Sequence, residues 1–258
     1  MNADRIRALA VGAGPAGIAV EVVEQTGSTN ADLLARAAQL AGPLLLVAVH
    51  QTAGRGRAGR SWLSAPGHSL TFSLAWPFPG GLRQMTGLPL AVGVALAETL
   101  GRLGQPVQLK WPNDVLKDGD KLAGILVEAQ AAPDRAAWAI IGIGLNLAMP
   151  HELEQQIGRP VAAVPWLARM DRDALLAALL DGLAATLAEF ASGGFAAFTA
   201  RWNGLHAYRG QAVTLVDRGR TLHEGLAAGV DEDGRLLLDT AGGRVAIVAG
   251  DVSLRPLA

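Results

Sequence analysis

Apolar and polar positions along this chain change period several times, and each change marks an element. Residues 18–24 are β-branched and partly alternating, which predicts a first strand. A polar stretch, 25–30, follows. Leu33, Leu34, Ala37, Ala38 and Ala41 then recur at helical spacing until Gly42-Pro43, so a helix is expected with Ser28, Thr29 or Asn30 as its cap. Residues 44–49 form a buried strand, and 69–76 alternate as another. Residues 88–103 read as an apolar helix, 107–110 as a short strand and 138–146, WAIIGIGLN, as a further buried strand. Residues 150–170, broken by Pro160 and Pro165, read as irregular. Asp171 caps a long helix over 172–191, with Leu175, Leu176, Leu179, Leu183, Leu187 and Phe190 inward, and Gly193-Gly194 ends it. A shorter amphipathic helix over 195–205 turns Phe198 and Trp202 inward. From Gly210 onward, five short strand-like runs (212–216, 223–230, 236–239, 245–248 and 252–254) predict a small β-barrel.

With 258 residues, half of them apolar and 17% charged, the chain can build one large domain, or one large and one small. The net charge of −1, with no basic run outside 55–60, argues against sequence-independent DNA binding. The absence of cysteine excludes disulfides, a thiol nucleophile and Cys-ligated metal sites. The N-terminus lacks a secretory pattern, and the longest apolar run, 175–187, is interrupted by Asp181. A soluble, cytoplasmic protein with no membrane partner is therefore expected.

Four stretches carry candidate chemistry. Residues 12–17, GAGPAG, fit a dinucleotide-binding fingerprint, which would make the chain a flavin- or nicotinamide-dependent oxidoreductase. That motif works only when a helix follows, and here a strand-like run comes next, so a flexible leader is the reading preferred. Ser28, Thr29 and Asn30 offer more polar groups than one helix cap needs, which suits a small polar ligand. Between residues 54 and 60 three arginines alternate with three glycines, an arrangement in which backbone N–H groups and guanidinium forks can surround a phosphate. Residues 109–130, LKWPNDVLKDGDKLAGILVEAQ, hold the only lysines, Lys110, Lys117 and Lys121. Pro112 and the turn at 118–120 predict a hairpin that brings Lys110, Asn113, Asp114 and Lys121 together. Gly142 and Gly144 mark a strand that something approaches closely, whether ligand or backbone.

Taken in order, TGSTN (26–30), GRGRAGRSW (54–62), KWPNDVLKDGDKLAGILVEA (110–129) and GIGLN (142–146) resemble the motif set of the biotin–protein ligases, over about residues 22–205. The terminal β-module resembles that family's SH3-like domain. The resemblance implies an α+β fold: a mixed β-sheet flanked by helices, of the class II aminoacyl-tRNA synthetase-like type, plus a small C-terminal SH3-like barrel. It divides the chain into a catalytic domain, 1–207, with 1–17 as a flexible leader, and a terminal domain, 208–258. With only some 20 residues before the first strand, the chain resembles the monofunctional members that lack a DNA-binding winged helix.

The activity implied is ATP-dependent attachment of biotin to a lysine of a biotin carboxyl carrier domain through biotinyl-5′-AMP. ATP and biotin would be substrates and Mg2+ the metal, its ligands unassigned, in a monomer or homodimer. Residue by residue, the resemblance places Ser28, Thr29, Asn30, Gln51, Gly54, Arg55, Gly56, Arg57, Trp62, Lys121, Gly124 and Gly142 around biotin. It places Arg57, Arg60, Lys110, Asn113 and Asn146 around the nucleotide, and makes Lys121, Arg57 and Asp114 catalytic. Lipoate–protein ligase is the alternative within the superfamily, and Ser28-Thr29-Asn30 with the arginine loop favours biotin over it. A non-enzymatic adaptor built on the terminal barrel is the alternative of another class.

Overall fold

The structure, a computed structural model, describes residues 1–131, 136–217, 220–248 and 252–256. In chain order its elements are α1 (Ala3–Leu9), β1 (Ala19–Thr26), α2 (Thr29–Arg36), β2 (Leu44–Gln51), β3 (Gly54–Arg55), β4 (Ser61–Trp62), β5 (Ser69–Phe78), α3 (Leu88–Arg102), β6 (Gln108–Lys110), β7 (Asp114–Lys117), β8 (Asp120–Ala131) and β9 (Ala137–Asn146). The second half holds α4 (His151–Ile157), α5 (Pro165–Arg169), α6 (Arg172–Gly193), α7 (Thr199–Leu205), β10 (Ala212–Asp217), β11 (Arg220–Val230), β12 (Leu236–Thr240), β13 (Gly243–Ile247) and β14 (Val252–Pro256).

The first sheet is mixed and seven-stranded, in the order β1-β2-β5-β9-β8-β7-β6. Only β1 and β2 run parallel; the other pairs are antiparallel. The period-two pattern of β9 sorts its faces. Ala139, Ile141, Ile143 and Leu145 join Leu70, Phe72 and Leu74 of β5 in the main core beneath α3 and α6. The alternate positions, Gly142 and Gly144, pair with Ser73 and Thr71 and open the other face. There α2 seats Leu33 on Leu44, Leu46, Ala75 and Ile140, a smaller core beside the open region.

Several expectations are corrected. Residues 1–17 are not a loose leader: Asn2 caps α1 by accepting from the Arg5 N–H, and Ile6 is fully buried. Gly12 rests against Asp181 of α6, whose carboxylate accepts from the Ala13 N–H at 2.8 Å. The GAGPAG run ends in a 3-10 turn, 14–16, and passes directly into β1, so no helix follows its glycines as dinucleotide binding requires. Helix α2 stops at Arg36, with a 3-10 turn over 37–39 replacing its expected last turn.

Residues 150–170 contain α4 and α5; Pro150 stands just before α4 and Pro165 begins α5, positions where a missing N–H costs no helical bond. By length and composition α6 could cross a bilayer, which the sequence reading had excluded. Here it serves as a core helix, burying Leu175, Leu176, Leu179, Leu183, Leu187 and Phe190.

The five terminal strands form an antiparallel sheet, β13-β12-β11-β10-β14, which among the described residues does not close into the expected barrel. Three contacts join this terminal unit and the linker before it to α7 and to the end of the first sheet. The Ala207 N–H donates to the Leu109 carbonyl at 2.9 Å, and the Trp111 indole N–H to the Gly234 carbonyl at 3.1 Å. The Asn203 amide both donates to and accepts from the Val230 backbone, at 3.0 and 2.8 Å.

At this junction His206 is buried against Trp202, ring centroids 4.7 Å apart, and neither ring nitrogen has a hydrogen-bond partner among the described residues. Burial, helped by the nearby charge of Arg209, pushes its pKa down to about 4. The fold therefore favours the neutral ring. The stability this confers is complete above the ordinary pKa of 6.5 and is lost as pH falls from there toward about 4. Urea unfolding across that window should lose up to about 3 kcal/mol, and His206→Phe should flatten the dependence.

Candidate functional site

The open face of the first sheet is cleared by glycine. At Gly142 a Cβ would lie 2.2 Å from Asn30 Oδ1, and at Gly144 2.2 Å from Trp62 Cε2, so each glycine admits a side chain from above. Gly124 of β8 pairs with Gly144 and continues this floor; a Cβ there would meet Lys121 Nζ at 3.0 Å. The sequence left ligand or backbone as the approaching group, and both proved to be side chains.

Over this floor lies a pocket open to solvent, with about 990 Å³ of space when its open mouth is counted. One end is neutral and polar. Ser28 caps α2 and the chain turns Thr29 and Asn30 inward, all three buried. The Thr29 N–H donates to Gln51 Oε1 at 3.0 Å, and the Thr29 hydroxyl meets that of Ser73 at 2.7 Å. The Ser73 hydroxyl in turn donates to Asn30 Oδ1 at 2.5 Å. Thr29, Asn30, Gln51 and Ser73 present uncharged groups to the pocket, as suits a ligand with a neutral amide-like head, while the Asn30 nitrogen donates to the Glu128 carboxylate at 3.0 Å.

The other end is cationic. Six positive side chains line the pocket, Arg55, Arg57, Arg60, Lys110, Lys121 and Arg159, with one carboxylate, Asp114. The hairpin of β3 and β4 supplies the first three, with Ala58 and Gly59 at positive φ between its strands. Arg57 donates to Asn113 Oδ1 at 3.0 Å, and Asn113 is itself held by donating to the Ile125 carbonyl at 2.7 Å. Lys121 Nζ lies 2.5 Å from Asp114 Oδ1 and 5.6 Å from the Trp62 ring centroid.

A β-bulge aims Lys121. Asp114 pairs with Gly124 and Val115 with Ala123, but Leu116 pairs with Lys121, so Leu122 is the extra residue. Leu122 enters the core and the lysine turns to the same face as Gly124 and Asp114. Lys110 Nζ stands 6.0 Å from the Tyr208 ring centroid. Burial holds its pKa below the usual lysine value; Asp114 opposes this, while Lys121, Arg159 and Arg255 reinforce it. A dense cationic field with a single carboxylate is arranged for a polyanion.

The structure thus brings nearly all the expected residues into one pocket. Gly54 and Asn146 stand outside its lining. Gly54 packs under the Trp62 carbonyl and the Gln51 amide, and buried Asn146 donates to the Lys121 carbonyl at 3.3 Å, steadying that lysine's backbone. Gly144, expected as a position of close approach but not assigned to the ligand, also lines the pocket, while Ser73, Arg159 and Leu254 from the terminal sheet were missed. Ser73 had a visible signal, a hydroxyl in an apolar strand. Arg159, between the prolines, had none. No group of three or more His, Cys, Asp or Glu gathers as a metal site among the described residues.

Residues 20–146 match the Biotin/lipoate A/B protein ligase family, and residues 209–255 the Biotin protein ligase C terminal domain. The chain is 37% identical to the biotin–[acetyl-CoA-carboxylase] ligase of Mycobacterium tuberculosis, across 94% of this chain and 91% of that protein. It is 35% identical to the bifunctional ligase/repressor BirA of Escherichia coli, across 93% of this chain and 75% of that one. Among solved structures it resembles the Aquifex aeolicus biotin protein ligase in complex with biotin and ATP, with a TM-score of 0.78, 30% identity and coverage of 92% of this chain and 99% of that one.

Gly144→Ala should cost about 1–3 kcal/mol in urea unfolding, since overpacking must displace the indole. Most of that loss should vanish in the Trp62→Ala background, where the obstructing ring is gone.

Proposed function

The chain belongs to the biotin/lipoate A/B protein ligase family, in its biotin protein ligase branch, and from that premise we propose how its pocket attaches biotin to a carrier lysine at the expense of ATP. The observation that carries the reading is the two-ended pocket: a neutral hydrogen-bonding end on Thr29, Asn30 and Ser73, and a cationic end centred on Lys121.

The ureido head of biotin, which carries two N–H groups and a carbonyl, matches the neutral end, with Ser28 and Gln51 completing its surroundings. Its valeryl chain runs past Asn30 and Trp62, the side chains that rest on Gly142 and Gly144, toward the cations beside Gly124. There the carboxylate attacks the α-phosphate of ATP; a C–O–P link forms and pyrophosphate leaves. Two anions must meet, and fixed positive charge offsets the repulsion as it grows in the transition state. Lys121 spans the carboxylate and the α-phosphate. Arg55, Gly56 and Arg57 cover the adenylate with Trp62 beside them, and Arg60, Lys110 and Asn113 serve the phosphates and nucleotide. Asn146 acts through the Lys121 backbone and Gly54 through the hairpin.

When Lys121 turns to the substrates it leaves Asp114, whose carboxylate then faces the incoming carrier amine. That amine attacks the anhydride carbonyl, forms the amide and expels AMP. The hairpin shields the anhydride from water meanwhile. No cluster of carboxylates or imidazoles gathers as a metal site among the described residues, so Mg2+ would be held mainly by phosphate oxygens and water.

We place the catalytic unit at residues 1–207 and the terminal unit at 208–258. The partner proposed is the carrier domain of a biotin-dependent carboxylase, met in the cytoplasm by a monomer or homodimer. Lipoate has no ureido head to use the neutral end, which favours biotin.

Incubation with biotin, Mg-ATP and a biotin carrier domain should add one biotinyl group to the carrier by mass spectrometry; an unmodified carrier would contradict the reading. Lys121→Ala should lower biotin-dependent ATP–pyrophosphate exchange by about 100-fold or more. Arg57→Gly should release free adenylate roughly tenfold faster, because a charge-assisted contact to its phosphate is lost.

A further inference from the structure

A second carboxylate, outside the pocket lining, bridges side chains of its two ends, and the roles assigned above do not use it. Glu128 lies on β8, two residues beyond Leu126, and its side chain is 22% exposed. Its Oε2 accepts from Asn30 Nδ2 at 3.0 Å, and its Oε1 accepts from the Arg55 guanidinium at 2.6 Å. It joins the buried start of α2 to the arginine hairpin.

The first contact fixes the orientation of the Asn30 amide. Its nitrogen has two hydrogens, one given to Glu128 and the other to the Leu126 carbonyl at 3.3 Å. Its oxygen takes the Ser73 hydroxyl and lies over Gly142. A flipped amide would set its oxygen against a carboxylate and a carbonyl, leaving three acceptors together and no donor. Asn30 is therefore held with its acceptor end over the glycine floor, where the oxygen's second lone pair can take an N–H from a ligand. The second contact is an ion pair to the hairpin, which Arg57 and Trp62 also anchor, and it ties the Arg55 end of that hairpin to β8 over the same ligand.

We propose that Glu128 is a positioning residue that couples recognition of the biotin head to the placement of the arginine hairpin. It fixes the Asn30 amide with one oxygen and tethers Arg55 with the other. The inference rests on the biotin reading given above. A ligand that engages Asn30 strengthens one side of the bridge, and the hairpin over the reacting end is held from the other.

The test compares Glu128→Ala, Glu128→Gln, Arg55→Gln and the Glu128→Gln/Arg55→Gln double variant with the parent. The readouts are biotin KM, ATP KM, the rate of free adenylate escape and Tm. Glu128→Ala, which removes both contacts, should raise biotin KM and adenylate escape by roughly tenfold or more, the size of a lost charge-assisted hydrogen bond. ATP KM should hold. Glu128→Gln keeps an acceptor for Asn30 but not the ion pair, so it should raise escape far more than biotin KM. Arg55→Gln should repeat the rise in escape, and the double variant should escape no faster than the worse single variant.

Parent-like biotin KM and escape in Glu128→Ala, equal rises in both KM values, or additive escape rates in the double variant would each overturn the proposal. If Glu128→Ala lowers Tm sharply, the glutamine pair and its double variant decide the matter alone. A parent that cannot biotinylate the carrier overturns the ligase reading and this inference with it. A working parent beside an indifferent Glu128→Ala overturns this inference only.

Discussion

The pocket depends on a sheet with one bare region. A sheet strand places side chains on both faces, and apolar pressure tends to fill both. Here Gly124, Gly142 and Gly144 withdraw side chains from neighbouring positions on β8 and β9, while the opposite face of the same strands stays packed with Ile125, Ile141, Ile143 and Leu145. The floor is thus rigid because its back is core, and open because its front is backbone. Asn30 and Trp62 can lie on it, Asn30 as part of the polar network and Trp62 beside Lys121.

Charge is then added to this frame at a cost. Lys110 is buried enough to weaken its hold on its proton, and it stands among other cations. Lys121 lies against Asp114 with little water around either. Such a cluster is held together in the free protein by a few acceptors: Asp114 for Lys121, Asn113 for Arg57 and Glu128 for Arg55. Anionic ligands relieve the crowding, so the same groups that strain the empty pocket favour its filling.

Much of this was legible in the sequence because the relevant signals were local. A polar triplet before a helical period, arginines between glycines, and a proline followed by an Asp-Gly-Asp turn each fix backbone within a few residues. The strand faces followed from period-two alternation. What was not legible depended on partners far along the chain. Residues 1–17 looked loose because Gly and Ala carry little pattern of their own, yet Asp181 and α6 order them. Prolines in 150–170 read as breakers because their position relative to a helix start was unknown. The bulge at Leu122 follows from pairing against β7, and no local signal marks Glu128, because its partners lie 98 and 73 residues away.

The bond from Ala207 to Leu109 has a consequence for how deletions of the terminal unit should be read. Strand β6 stands at one end of the sheet order, and the segment after α7 runs beside it, with a bridge between Leu109 and His206. At the other end β1 carries Glu21 and Glu24, charges that discourage a foreign strand from pairing there. β6 has only Gln108 and Lys110 flanking buried Leu109. Cutting the chain before His206 would therefore bare an apolar sheet edge as well as remove the terminal strands. Inactivity of such a fragment would mix lost chemistry with aggregation, whereas a cut after Tyr208 would keep the edge covered and separate the two.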